Sequence, residues 1–173
     1  MLATDALSIR PYAIEDDAFI AEIAREAFLE YTPRAESHTL ALVRRCTTFV
    51  AERELRRRDA APPGVGAGAA GGPPLRLSRV GFAAVGDDGD GVLSLHAIAV
   101  VRGERGRGIG ERLMGAFEQL ASGRGARRLE LCTADYNLAA LELFYRRGFR
   151  LLRRRPNFYA RGQDACVLGK DLR

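Results

Sequence analysis

The sequence predicts an α/β (α+β) domain, a mixed sheet covered by helices, on three observations. Strand-like and helix-period runs succeed one another in a single order without repeats. Two apolar β runs flank a Gly/Asp-rich turn, and a second glycine-rich segment separates a buried strand from a helix. A chain of 173 residues with 47% hydrophobic content supports one core and is too short for two ordinary domains.

Leu7-Ser8-Ile9-Arg10 alternates like a short strand stopped by Pro11. Glu15 to Asp17 can cap a helix running to about Glu30, with Phe19, Ile20, Ile23, Ala24, Ala27 and Phe28 at helical spacing. Ser37 is placed to cap a second helix carrying Leu40, Leu42 and Val43, after which Thr47 to Ala51 reads as β. Residues 54 to 74 hold a charged run, Pro62-Pro63, a Gly/Ala tract and Pro73-Pro74, too poor in apolar groups to order itself, and are expected to form a flexible hairpin loop. Arg79 to Val85 and Val92 to Val101 should pair as a hairpin across the turn at 86 to 91. Ile109 to Ala121 reads as a helix ended by Gly123 and Gly125, Arg128 to Cys132 as a strand, and Asn137 to Arg147 as a helix closed by Gly148. Phe149 to Arg154 and Ala165 to Leu168 supply two last strands.

Composition narrows the function. No apolar run approaches the roughly 18 residues of a membrane span, and Asp5, Glu15, Asp16 and Asp17 are unlike a signal peptide, so the expectation is a cytoplasmic protein with no membrane partner. Cys46, Cys132 and Cys166 are odd in number and far apart, and His38 and His96 are the only histidines, so neither a disulfide framework nor a metal site is expected. The net charge of +5 rests almost wholly on arginine, Lys170 being the only lysine. Without a base-reading helix or a stacking motif, that charge does not call for nucleic acid; the Arg-rich stretches at 102 to 112 and 153 to 155 suit a solvated surface, a phosphate-bearing cofactor or an acidic partner.

The segment from Val100 to Gly110, Val-Val-Arg-Gly-Glu-Arg-Gly-Arg-Gly-Ile-Gly, carries the chemistry. It places successive glycines at a helix N-terminus, where unpaired amides and the positive end of the dipole attract phosphate and absent side chains let the backbone approach it. It lacks the Gly-Lys-Ser/Thr ending of a P-loop and the acidic second-strand residue of a Rossmann unit. It resembles the acetyl-CoA signature of the GNAT N-acetyltransferase superfamily, Arg/Gln-x-x-Gly-x-Gly/Ala, through Arg105, Gly108 and Gly110. Asn137-Leu138-Ala139-Ala140, followed by Phe144-Tyr145-Arg146-Arg147-Gly148-Phe149, resembles a second block of that family, and the likeness covers roughly residues 7 to 170.

The resemblance implies a mostly antiparallel sheet with a splayed strand pair and about four flanking helices, acetyl-CoA as cofactor, and direct attack of a primary amine on the thioester. It assigns cofactor binding to Ile98, Val100, Arg105, Gly106, Arg107, Gly108, Ile109, Gly110, Asn137, Ala140, Phe144 and Tyr145. Family members often place a tyrosine four residues before the glycine of Gly-Phe as acid for the departing thiolate; here that position is Phe144, and Tyr145 stands one residue later, rotated by roughly 100° on a helix. His96, four residues before Val100 and with an ordinary pKa near 6.5, is a candidate base, and Glu130 shares a strand face with Cys132. The acceptor pocket is expected from Phe28, Glu30, Tyr31, Phe158 and Tyr159, carboxylate and aromatics that suit a cationic amine. Pro156 to Tyr159, with Asp164-Ala165, resembles the tail of N-terminal acetyltransferases of the ribosomal-protein alanine type, so the acceptor is a small-molecule amine or a peptide N-terminus, handled by a monomer or homodimer. The alternative is a non-catalytic acyl-CoA-binding sensor or interaction module, motivated by Phe144.

Overall fold

A computed structural model describes residues 6–54 and 77–172. The loop expected at about 54 to 74 lies, from residue 55 on, outside the described residues. The elements follow the expected order: β1 (Leu7–Pro11), α1 (Asp17–Phe28), α2 (Ala35–Val43), β2 (Thr47–Glu54), β3 (Leu77–Gly89), β4 (Val92–Val100), α3 (Ile109–Gly123), β5 (Arg128–Ala134), α4 (Leu138–Arg146), β6 (Arg150–Arg155) and β7 (Ala165–Asp171). They build one seven-stranded sheet in the order β1-β2-β3-β4-β5-β7-β6, antiparallel except where β4 meets β5.

Alternation along the strands sends side chains to two faces, and each face has its own apolar cluster. On one, α3 contributes Ile109, Leu113, Met114, Phe117 and Ala121 at helical spacing, packed with Leu93, Leu95, Leu129, Leu131 and Leu168 and with Phe144 of α4. On the other, Ile20 and Ile23 of α1 and Val43 of α2 close over Phe82, Ala84, Ala97 and Ala99. The sheet is thus a middle layer, covered by α1 and α2 on one side and by α3 and α4 on the other.

Local departures from the sequence reading have physical causes. Asp16 does stand at the start of α1, but its carboxylate turns back from the helix and accepts hydrogen bonds from Ala13 N (2.8 Å), Arg10 Nη1 (2.7 Å) and Nη2 (2.8 Å), and Arg79 Nε (2.5 Å). Ser37 is not a cap: α2 begins two residues earlier, and the Ser37 hydroxyl donates to Arg34 O. β3 extends through the predicted turn to Gly89, because Asp90 (φ 51°) and Gly91 (φ 74°) alone reverse the chain as a two-residue turn with both φ positive.

Candidate active site

β4 is followed by a single 3₁₀ turn, Arg102–Glu104, and by the glycines that lead into α3. Gly106 and Gly108 lie at φ 76° and 77°, the left-handed region that favours glycine, and a Cβ on either would meet nothing within 4 Å. Arg112 N donates to Gly108 O (3.1 Å), so the amides of Ile109, Gly110 and Glu111 precede the first internal bond of the helix and face outward at its positive end. Arg105 Nε holds Val100 O (3.1 Å), and Arg53 Nη2 holds Glu104 Oε1 (2.6 Å), fastening the turn to the sheet. A bare, open, amide-lined concavity of this kind fits a pyrophosphate.

The sheet opens beside that turn. β4 and β5 pair in parallel over four residues only, from Val92 with Arg128 to Leu95 with Leu131, while β3 stays paired with β4 as far as Val100. Beyond Leu95, the β5-facing edge of β4 is therefore open, and Ile98 and Val100 lie on it. A cavity of about 590 Å³ occupies the opening. On the α4 side it is lined by Ile98, Thr133, Asn137, Ala140 and Phe144, with Asn137 Oδ1 capping α4 by accepting from Ala140 N (3.3 Å). On the α1 side it is lined by Phe28, Tyr31, His96, Glu130, Cys132 and Tyr159, among others.

His96 sits where the β3–β4 register shifts, between the Ala84–Ala97 and Val85–Leu95 pairs, so a β-bulge turns it into the cavity. Its imidazole lies over Gly86, where a Cβ would come within 2.1 Å of Nε2. Asp88 Oδ1 is 3.7 Å from that nitrogen, beyond a hydrogen bond, and the Ser94 hydroxyl donates to the other Asp88 oxygen. Glu130 also lines the cavity and lies 4.0 Å from Arg128. Burial raises the Cys132 thiol above its usual value, against the opposing influence of Tyr159, whose hydroxyl lies 4.0 Å from Sγ. The thiol therefore stays protonated at neutral pH, unlike a nucleophilic cysteine.

Aromatic rings form the opposite wall. Tyr31 packs against Tyr159 (4.9 Å between centroids) and Tyr136 (6.2 Å), and Phe158 meets Tyr159 edge-on at 5.0 Å. Burial pushes the phenols of Tyr31 and Tyr159 well above their ordinary value, so both are neutral donors across the physiological range. Ala160 N donates to Tyr31 O (3.2 Å) and Gln163 Nε2 to Glu30 O (2.7 Å), tying the β6–β7 loop to the end of α1.

Of the residues singled out in the sequence, His96, Ile98, Glu130, Asn137, Ala140, Phe144, Phe28, Tyr31, Phe158 and Tyr159 line this one cavity. Val100 and Arg105 through Gly110 stand outside its lining, at the α3 N-terminus and the strand leading to it. Tyr145 lies outside it too: α4 is helical throughout and leaves that ring 49% exposed, with Phe144 buried in its place. Glu30 is exposed and does not line the cavity. Asp88, Arg153 and Arg155 also line it; the stretch 153 to 155 had been noted for its charge but not assigned to the acceptor pocket, and Asp88 was not anticipated. The alternation of Arg153 and Arg155 next to the hairpin aromatics was the available signal for the pair; nothing in the sequence pointed to Asp88.

A model of the acetyltransferase (GNAT) family matches residues 19–149. Over 78 residues, 44% of the chain, there is 40% identity to an uncharacterised protein of Mycobacterium leprae, of whose length this stretch covers 21%. Among solved structures, Ard1 from Thermoplasma volcanium superposes with a TM-score of 0.76 at 22% identity, covering 97% of this chain and 99% of that one. The ribosomal-protein alanine N-acetyltransferase of Escherichia coli gives 0.70 at 19%, covering 96% and 94%. A family acetyltransferase from Elizabethkingia anophelis, solved with acetyl-CoA bound, gives 0.69 at 16%, covering 98% and 100%.

Proposed function

The chain belongs to the acetyltransferase (GNAT) family, and from that membership we propose that it is an acetyl-CoA-dependent N-acetyltransferase whose acceptor is the primary amine of a small molecule or of a peptide N-terminus. The observation that carries this reading is the coincidence of the strand opening, the cavity through it and the glycine turn at one end. The residues fit the cofactor: amides from Arg105 to Glu111 for the pyrophosphate, and the free β4 edge at Ile98 and Val100 with Asn137 and Ala140 for the pantetheine arm. When bound, acetyl-CoA would supply an acyl thioester to the amine.

The chain's own groups supply orientation and proton transfer. The wall of Phe28, Tyr31, Phe158 and Tyr159 confines the amine and excludes water. His96, steadied by Asp88, takes the amine proton directly or through one water, with Glu130 as the second acceptor on the same face. The neutral phenols of Tyr31 and Tyr159 are donors facing the same space, whereas Phe144 has no proton to give. Cys132, kept as a thiol, forms no acyl intermediate in this scheme.

Calorimetric titration with acetyl-CoA and CoA, with ATP and NADH as controls, tests the reading. Micromolar or tighter binding of the CoA ligands alone is expected, followed by thiol release when amines are added. Absence of CoA binding overturns the proposal, and binding without thiol release across an amine panel would favour an acyl-CoA sensor instead.

A further inference from the structure

On the acceptor side of the cavity, the sheet presents a rank of side chains fixed by register. Cys132 pairs with Val167 and Val167 with Arg153, while Ala165 pairs with Arg155, so Arg153 and Arg155 share the face that carries Glu130 and Cys132. Both arginines line the cavity. Most ion-paired arginines of this chain sit within 4.0 Å of a carboxylate at the surface, as Arg128 does with Asp171 and Arg154 with Asp135. Among the described residues Arg153 and Arg155 have no acidic partner. Arg155 is nonetheless held in place, its guanidinium stacked 4.2 Å above the Phe158 ring. Unpaired arginines are ordinary on this arginine-rich surface; a pair of them on one cavity wall, opposite the acidic end formed by Asp88 and Glu130, is not.

The charges are therefore segregated across the cavity: carboxylates and His96 on β3, β4 and β5, arginines on β6. Two strand-to-strand steps separate β5 from β6, roughly 10 Å. We propose that the acceptor carries, several bonds from its amine, an anionic group that Arg153 and Arg155 bind, so that the amine is delivered to His96 and Glu130. This rests on the acceptor reading of the cavity given above. It reverses the preference for a purely cationic amine expected from Glu30, which lies outside the lining while the two arginines lie within it. The anion is the acidic side chain of a peptide near its N-terminus or the acid group of a small amine; the shared chemistry is a carboxylate or phosphate received by a guanidinium fork.

The test is a titration of the protein, free and CoA-saturated, with the peptide amides Ala-Glu-Glu, Ala-Gln-Gln and Ala-Lys-Lys, and with 6-aminohexanoate against its amide. The acidic member of at least one series should bind about 10-fold or more tightly, the size of one charge-assisted hydrogen bond. Which series responds identifies the source of the anion. The double variant R153E/R155E should invert the order and R153K/R155K largely keep it, with CoA affinity unchanged in both. Equal binding across each series, no binding of any acidic probe, or an order unaltered by R153E/R155E overturns the proposal. The CoA titration reads the enzymatic reading separately, because the charge preference is measured on the free protein as well.

Discussion

His96 illustrates how one side chain can be poised by three neighbours of different kinds. The bulge turns it inward, Gly86 leaves it space, and an oxygen of Asp88 stands 3.7 Å from its Nε2. His96→Ala is expected to lower kcat by about 100-fold or more while leaving acetyl-CoA affinity unchanged, and Gly86→Ala to do much the same, since its Cβ must displace the imidazole. Steady-state kinetics beside a CoA titration checks both; full turnover in His96→Ala removes it as the base. Position along a strand made His96 visible in the sequence. Asp88 was invisible because it comes near only through the shifted register of a hairpin whose turn, at Asp90 and Gly91, proved shorter than predicted. Phe144 and Tyr145 show the opposite case, where helical period alone decides which of two adjacent rings is buried.

At the level of elements, the proposed cofactor binding rests on the link between β4 and α3. Gly108→Glu introduces a side chain at φ 77°, costing about 1–2 kcal/mol of backbone strain, and sets a carboxylate among the helix-end amides. The expected result is loss of CoA binding by about 100-fold or more in calorimetry with a cooperative melt retained, since a Cβ there meets no neighbouring atom. Element order and type were legible throughout, from apolar residues at helical spacing in α1 and α3 and from the turn residues that separate the strands. The helix start at Ala35 was not, since Ser37 offers a cap signal inside the helix. The opening between β4 and β5 was expected only by family likeness: periodicity says which residues face a layer, and says nothing about where two strands part.

For the molecule as a whole, the knot around Asp16 joins the first strand, α1 and β3. Its carboxyl is fully buried, and hydrogen bonds from Arg10, with further help from Ala13 N and Arg79, push its pKa down to about 2. A depressed folded-state value contributes stability in full above the unfolded value near 3.9 and loses it as pH falls toward 2, a contribution of about 2 kcal/mol. Denaturant melts between pH 6 and 2 should show that loss. Asp16→Asn should cost about 3 kcal/mol at neutral pH and flatten the acid limb; an unchanged acid limb would mean that Asp16 is not the group responsible. The four-pair junction of β4 with β5 has another reach. A sheet whose two middle strands part is braced by whatever binds between them, and a cofactor present at 100 times its Kd adds about 2.7 kcal/mol to the folded state. The lifetime of the chain is thereby expected to follow the supply of its cofactor, and limited proteolysis with and without CoA reads the difference.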